Sequence, residues 1–295
     1  MSFSALLLVL AAALIHATWN YQLKKANAGR ALWLLVYTIT ALVSIPSLLI
    51  ADPECFSRIT PVGWLVICIS APVHTLYAIT LQTGYRKADY SIVYPTARGS
   101  GPMISVLAAV LILGNSPSFP GALGIAAILA GIVLLSLKGS STESGASRIR
   151  TGLIWGTLTG LCIAGYTFCD AWAVQQNTGL TPSSFYFPSI ALRVLCLAPF
   201  VLFSPEGIAQ MKDVFADPVK RKALAVVTVG SPGAYILVLY AMTMAPLAYV
   251  APTREVGMMV GVIFGAILLK EKLSAVRLCG IAAMVLGVLL IALSK

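Results

Sequence analysis

KGSSTESGASRIR, residues 138–150, is a polar, Gly/Ser-rich break near the middle of a 295-residue chain that is otherwise mostly apolar, and it has the composition of a flexible linker. It predicts two halves, residues 1–137 and 151–295. Outward from it, charges and Pro, Gly or Asn clusters cut the chain into ten apolar runs. Five precede the linker, at 3–23, 31–51, 61–84, 90–113 and 119–137, and five follow it, at 151–174, 182–203, 223–244, 247–269 and 278–294. Each has roughly the 20 residues that a helix needs to cross about 30 Å of hydrocarbon. The sequence therefore predicts an all-α integral membrane protein of ten transmembrane helices.

Composition agrees. Hydrophobic residues make up 59% of the chain and charged ones 10%, against about 25% charge in soluble domains. A net charge of +10 would suggest a nucleic-acid partner in a soluble protein. Here the basic residues have another explanation: fifteen of the twenty Lys and Arg fall in loops on one side of the predicted spans, and only Arg58 and Lys295 on the other. Cytoplasmic loops are enriched in Lys and Arg, which places both termini outside a cytoplasmic membrane and removes the need for nucleic acid. Ser4 to Trp19 has the length of a signal peptide but no basic leader, and reads as the first membrane helix. The six cysteines lack paired spacing and clustered histidines, so they read as small hydrophobes rather than metal ligands.

The halves resemble each other. Tyr94-Pro95-Thr96 is answered by Ala251-Pro252-Thr253 at an offset of 157, and Gly124-Ile125-Ala126-Ala127 with Gly131 by Gly280-Ile281-Ala282-Ala283 with Gly287 at an offset of 156. Five is odd, so a duplicated five-helix unit must lie upside down relative to its partner. Inverted repeats of this kind place a solute site near the midplane where the halves meet. Ala127 with Gly131, and Ala283 with Gly287, present a small-xxx-small packing face in each half.

In these features the sequence resembles the drug/metabolite transporter superfamily, specifically its ten-helix EamA-type members, over the whole chain. The resemblance is carried by Leu14-Ile15-His16-Ala17-Thr18-Trp19-Asn20, by Pro95 and Pro252, and by Leu268-Leu269-Lys270-Glu271-Lys272-Leu273-Ser274 followed by Gly280 and Gly287. The first repeat departs from the pattern, because Asn115 stands where the family often has Glu. The resemblance implies helices around a central cavity that alternates between inward- and outward-open states, with small organic metabolites as cargo.

Only five ionisable acids and bases fall inside the predicted spans: Arg98, Asp170, Arg193, Arg254 and Glu255. Such residues cost about 2.5–3.5 kcal/mol each at a helix centre, so they are expected to face the bundle interior and mark a solute path, structural pairing being the alternative. The 157 offset aligns Arg98 with Glu255, opposite charges that can pair across the pseudo-two-fold axis, whereas the 156 offset aligns Arg98 with Arg254. Arg254 and Glu255 are adjacent, about 100° apart on a regular helix, and are not expected to pair directly. Arg254 is then left for Asp170 or for a solute. Three positive and two negative charges leave a net +1, which suits an anion or zwitterion held by an Arg fork.

Helical spacing sets polar and aromatic residues beside these charges: His16 with Trp19 and Asn20, His74 with Tyr77, Tyr94 with Arg98, Tyr166 with Asp170, and Ser189 with Arg193. Trp19 and Tyr94 alternatively serve as interfacial anchors. Histidine's ordinary pKa lies near neutrality, so His16 and His74 are candidates for coupling to a proton, as are Asp170 and Glu255. Pro95, Gly99, Gly101, Pro102 and Pro252 interrupt the fourth and ninth spans, the kind of break found at binding regions and hinges.

The expected activity is a secondary carrier for a small polar metabolite: an amino acid, a related zwitterion or an organic anion. A flippase for a lipid-linked sugar is the second reading. An enzyme acting on lipid head groups is the third, and the longest connection, Pro205 to Lys222, reads as a solvated loop without catalytic spacing. No GxxxxGK[ST] loop occurs, so no nucleotide or other cofactor is expected, and gradients or exchange must drive the cycle. The expected partners are the solute, membrane lipid and a coupling proton, in a monomer or a homodimer.

Overall fold

The computed structural model describes residues 1–26, 29–136, 146–176, 178–268 and 274–294. Among them the regular elements are all helices: α1 (Phe3–Ala26), α2 (Arg30–Ala51), α3 (Pro61–Lys87), α4 (Tyr90–Leu111), α5 (Phe119–Ser136), α6 (Ala146–Gln175), α7 (Pro182–Leu202), α8 (Pro205–Ala216), α9 (Pro218–Met244), α10 (Leu247–Arg254), α11 (Val256–Leu268) and α12 (Ala275–Leu293). Nine stretches among the described residues are long and apolar enough to cross a membrane: α1, α2, α3, α5, α6, α7, α9, α12 and the run formed by α10 with α11. The 22 residues of α4 rise about 33 Å, but Arg98, two prolines and several hydroxyl residues lower its hydropathy.

The molecule is apolar outside and polar within. Ile50, Leu111, Phe119, Phe203 and Leu293 are each more than three-quarters exposed, while Ser70, Thr159, Thr167, Asp170, Thr253 and Glu255 are buried. Water would penalise that surface, and hydrocarbon does not.

Close helix contacts rest on glycine. Gly152, Gly156 and Gly160 recur every fourth residue of α6 and face α4, where a β-carbon on Gly156 would lie 2.6 Å from Thr96 Cβ and 2.9 Å from Val93 O. In the α5–α12 seam a β-carbon on Gly124 would lie 2.7 Å from Gly287 O, and one on Gly287 would lie 2.6 Å from Gly124 O. The expected Ala127 and Ala283 face is only half buried. Gly124, Ile128 and Gly131 make the seam instead, against Gly280, Met284 and Gly287.

Across the bundle α1 packs on α9 and α6 on α3. α1 meets α10 and α11, and α6 meets α4; α2 meets α7, α4 meets α10, and α5 meets α12. The Met1 ammonium donates to Ser294 O at 3.1 Å, so the first and last described residues are neighbours.

Several boundaries differ from the sequence expectation. The linker expected to reach residue 150 gives way to helix at Ala146, so SRIR is the first turn of α6; residues 138–145 lie outside the described residues. So do residues 269–273, with Lys270 and Lys272 of the basic loops, and Lys295. Pro205 to Lys222 is not a loop. Ser204 Oγ accepts from the Gly207 amide at 3.3 Å to cap α8, whose Val214 is buried against Trp19, Leu32 and Val227. Asp217 Oδ1 then accepts from the Val219 amide at 2.8 Å and caps α9. Short amphipathic helices rich in charge look like solvated loops until their apolar face finds a partner.

The ninth span is two helices. The Glu255 amide donates to Pro252 O at 3.0 Å and the Met258 amide to Glu255 O at 2.8 Å. These three-residue steps replace the four-residue ladder where Pro252 removes a donor and crowds the turn. At the other end of α10 the Ala248 amide donates to Asn115 Oδ1 at 3.2 Å, and the Ser118 amide to the Tyr249 hydroxyl at 3.1 Å.

Candidate solute site

Polar side chains from seven helices converge inside the bundle in two connected groups. The first centres on Glu255, at the joint between α10 and α11. Arg98 Nη1, from α4, donates to Glu255 Oε2 at 3.0 Å, and Arg254 Nε lies 3.5 Å from Glu255 Oε1. Arg98 thus meets Glu255 as the 157 offset anticipated. The expectation that Arg254 and Glu255 stay apart is overturned by that contact: the three-residue steps at the joint set adjacent residues about 120° apart, and it is the reach of the long Arg254 side chain that closes the gap. The alternative pairing of Arg254 with Asp170 does not occur either.

Glu255 is 2% exposed, whereas the Arg98 and Arg254 side chains are 17% and 12% exposed. One buried carboxylate therefore holds two guanidiniums that keep part of their surface accessible, and the triad carries a net positive charge. The Arg98 guanidinium lies 5.5 Å from the Tyr94 ring centroid, a cation–π contact. His16 is within electrostatic reach of Arg98 and Arg254.

The second group centres on Asp170 of α6, which is fully buried. Ser70 Oγ donates to its Oδ1 at 2.5 Å, His74 Nε2 lies 2.9 Å from its Oδ2, and the Tyr235 hydroxyl donates to the same oxygen. Tyr166 stacks on His74 with ring centroids 3.8 Å apart, and Tyr77 meets Tyr166 edge-on at 5.7 Å, which joins this group to the first along α3. Tyr186 stacks on Tyr235 at 5.3 Å, and the Arg193 guanidinium lies 5.4 Å from the Tyr186 centroid.

Arg193 is 4% exposed. Its Nη2 donates to Ser189 Oγ at 3.1 Å, Tyr37 also bonds it, and its Nε has no hydrogen-bond partner. Among the described residues no carboxylate lies within ion-pairing distance of it.

Of the residues expected at a site, the structure brings together His74, Tyr77, Tyr94, Arg98, Tyr166, Asp170, Arg193, Arg254 and Glu255, with His16 at the margin. Trp19 and Asn20 do not join them. Asn20 Nδ2 bonds back to His16 O at 3.0 Å, and Trp19 is buried edge-on between His16 and Trp33 with its indole N–H unpartnered. Burial also rules out an interfacial anchor role for Trp19. Sequence reasoning missed Ser70, Tyr186, Tyr235 and Tyr37. Ser70 lies four residues before His74 and Tyr186 three before Ser189, so helical spacing carried a signal for both; Tyr235 and Tyr37 sit in apolar runs that carried none.

Residues 150–293 match the family model described as the EamA-like transporter family. No curated protein matches by sequence. A solved crystal structure superposes with a TM-score of 0.78 at 17% identity, covering 98% of this chain and 96% of that one, a likeness that speaks to the fold alone. Residues 150–293, a little under half of the chain, are thus similar to the EamA-like transporter family, and nine apolar membrane-length stretches among the described residues fit a multi-pass membrane protein.

Proposed function

We propose that this protein is a secondary carrier that moves a small anionic or zwitterionic metabolite, such as an amino acid or an organic acid, across the cytoplasmic membrane by alternating access. The observation that carries the reading is the Arg98–Glu255–Arg254 triad. It joins α4 to the α10–α11 joint, is net positive, and keeps both guanidinium groups partly accessible inside the bundle. An Arg fork binds a carboxylate through paired charge-assisted hydrogen bonds, and the rings of Tyr94, Tyr77 and Tyr166 offer apolar and cation–π surface to the rest of such a solute.

The packing supports ten spans in two inverted repeats, residues 1–137 and 151–295. If α1, α2, α3, α4 and α5 correspond to α6, α7, α9, α10 with α11, and α12, then the main helix pairings exchange into one another or into themselves: α1 on α9 becomes α6 on α3, while α2–α7, α4–α10 and α5–α12 lie on the axis. Adjacent ends require an even number of crossings, which favours counting α4 with the nine apolar stretches. Pro95 and Pro102 within α4 and the break after Pro252 offer hinge points beside the triad.

The test is transport. Thermal shifts of the purified protein against amino acids and small organic acids select candidates, since a ligand that binds only the folded form raises the melting temperature. Proteoliposomes then measure labelled uptake or exchange of each. Arg254→Ala is expected to abolish uptake while the variant still melts cooperatively; undiminished uptake by that variant would remove Arg254 from the site.

A further inference from the structure

Asp170 accepts hydrogen bonds from Ser70 Oγ and the Tyr235 hydroxyl and faces His74 Nε2, an arrangement that suits a carboxylate. With Nε2–H directed at Asp170, Nδ1 is the ring nitrogen left to accept a proton. A proton from water added there turns imidazole into imidazolium, and the pair passes from a net negative charge to none without a heavy atom moving.

The charge of this pair matters to Arg193. That guanidinium is buried, has no carboxylate in ion-pairing distance among the described residues, and leaves Nε unpartnered. It interacts electrostatically with Asp170, from which two rings separate it: Arg193 lies over Tyr186, Tyr186 stacks on Tyr235, and the Tyr235 hydroxyl bonds Asp170. Arg98 and Arg254 share Glu255 instead. When His74 gains a proton, the negative charge that balanced Arg193 is cancelled, and an uncompensated buried cation is costly unless an anion joins it.

Resting on the carrier reading above, we propose that the His74–Asp170 pair is the proton-binding site of this protein, and that a proton taken there lets Arg193 hold the anionic group of the solute. Linkage makes the effect reciprocal, so a bound anion favours the proton by the same factor. Proton and anion then bind together, and the proton gradient drives the anion. The charged groups that act on His74 are Asp170 on α6, Arg193 on α7 and Arg254 on α10; Arg98 on α4 is held by Glu255. The titratable rings beside it are Tyr166 from α6, Tyr235 from α9 and, one turn along α3, Tyr77.

The test needs no solute. The chain has two histidines, so the purified full-length protein labelled with nitrogen-15 histidine gives NMR signals from two imidazole rings, and His16→Gln assigns them. The His74 ring is expected to convert from neutral to imidazolium as pH falls within the range where the protein stays folded. Arg193→Gln, which removes the cation as a bound anion would cancel it, is expected to give more imidazolium at each pH across the conversion, while Arg193→Lys behaves as the wild type. A His74 ring that stays neutral throughout, or a conversion identical in wild type and Arg193→Gln, overturns the proposal. Melting curves check that each variant is folded. Because transport is not the readout, absent uptake with this titration intact counts against the carrier reading, and intact uptake without the titration counts against the proton site.

Discussion

Glu255 is the residue on which the charge balance of the interior turns. Removing one partner of a buried ion pair leaves the other unpaired, at a cost of roughly 3–5 kcal/mol, and Glu255 leaves two guanidiniums behind. Glu255→Gln is therefore expected to lower stability by about that amount, read as a fall in melting temperature of the purified protein. Arg98→Gln combined with Glu255→Gln is expected to cost less than the sum of the single changes, because the second substitution removes a charge that the first has already stranded. Strict additivity would mean that the 3.0 Å contact between them carries no energy. The Arg98 partner was legible from the 157-residue offset between Tyr94-Pro95-Thr96 and Ala251-Pro252-Thr253, which aligns Arg98 with Glu255. The Arg254 contact was not, because the angle between adjacent residues on a helix says nothing of how far a long, flexible side chain reaches back. Tyr235 was invisible for a different reason: which face of α9 turns inward depends on its packing against α1 and α6, and one phenol in an apolar run does not reveal that.

Among the helices, α4 and α6 make a contact sensitive to side-chain volume. Gly156 lets α6 approach until Thr96 and the carbonyl of Val93 occupy the space a side chain would need. Gly156→Leu should therefore destabilise the protein by at least the 1–3 kcal/mol or so that overpacking costs, whereas Gly99→Ala, at a glycine with open space around it, should melt near the wild type. Equal melting temperatures would show that the approach is not close. Apolar runs made nine of the ten expected spans readable as single helices, because length and hydropathy alone define them. The two elements they did not reveal are informative. α8 carries Glu206, Lys212 and Asp213 on an exposed face, so only its docking through Val214 identifies it as a helix, and the α10–α11 joint needed hydrogen-bond geometry that a Pro in a sequence implies but does not locate.

For the whole molecule, the test is topological. With residues 1 and 294 adjacent, single cysteines placed at the exposed neighbours by Ser2→Cys and Leu293→Cys in a cysteine-free background should react with a membrane-impermeant maleimide from the same side of sealed vesicles. The sparse loop charge around them predicts the outer side. Labelling from opposite sides would mean an odd number of crossings and remove the basis for inverted repeats. The basic-loop count was legible from sequence because it depends only on order along the chain. The polar interior was legible only in outline: five ionisable residues could be named, yet the division into a Glu255 group and an Asp170 group required three-dimensional packing.

The contact between Met1 and Ser294 has a consequence for covalent connectivity. A short peptide can join the two ends without moving either, so a circularly permuted gene that encodes residues 151–294 first and 1–137 second should yield a protein that inserts and packs as the original does. Translation order would then be a historical accident of the chain rather than a requirement of its architecture.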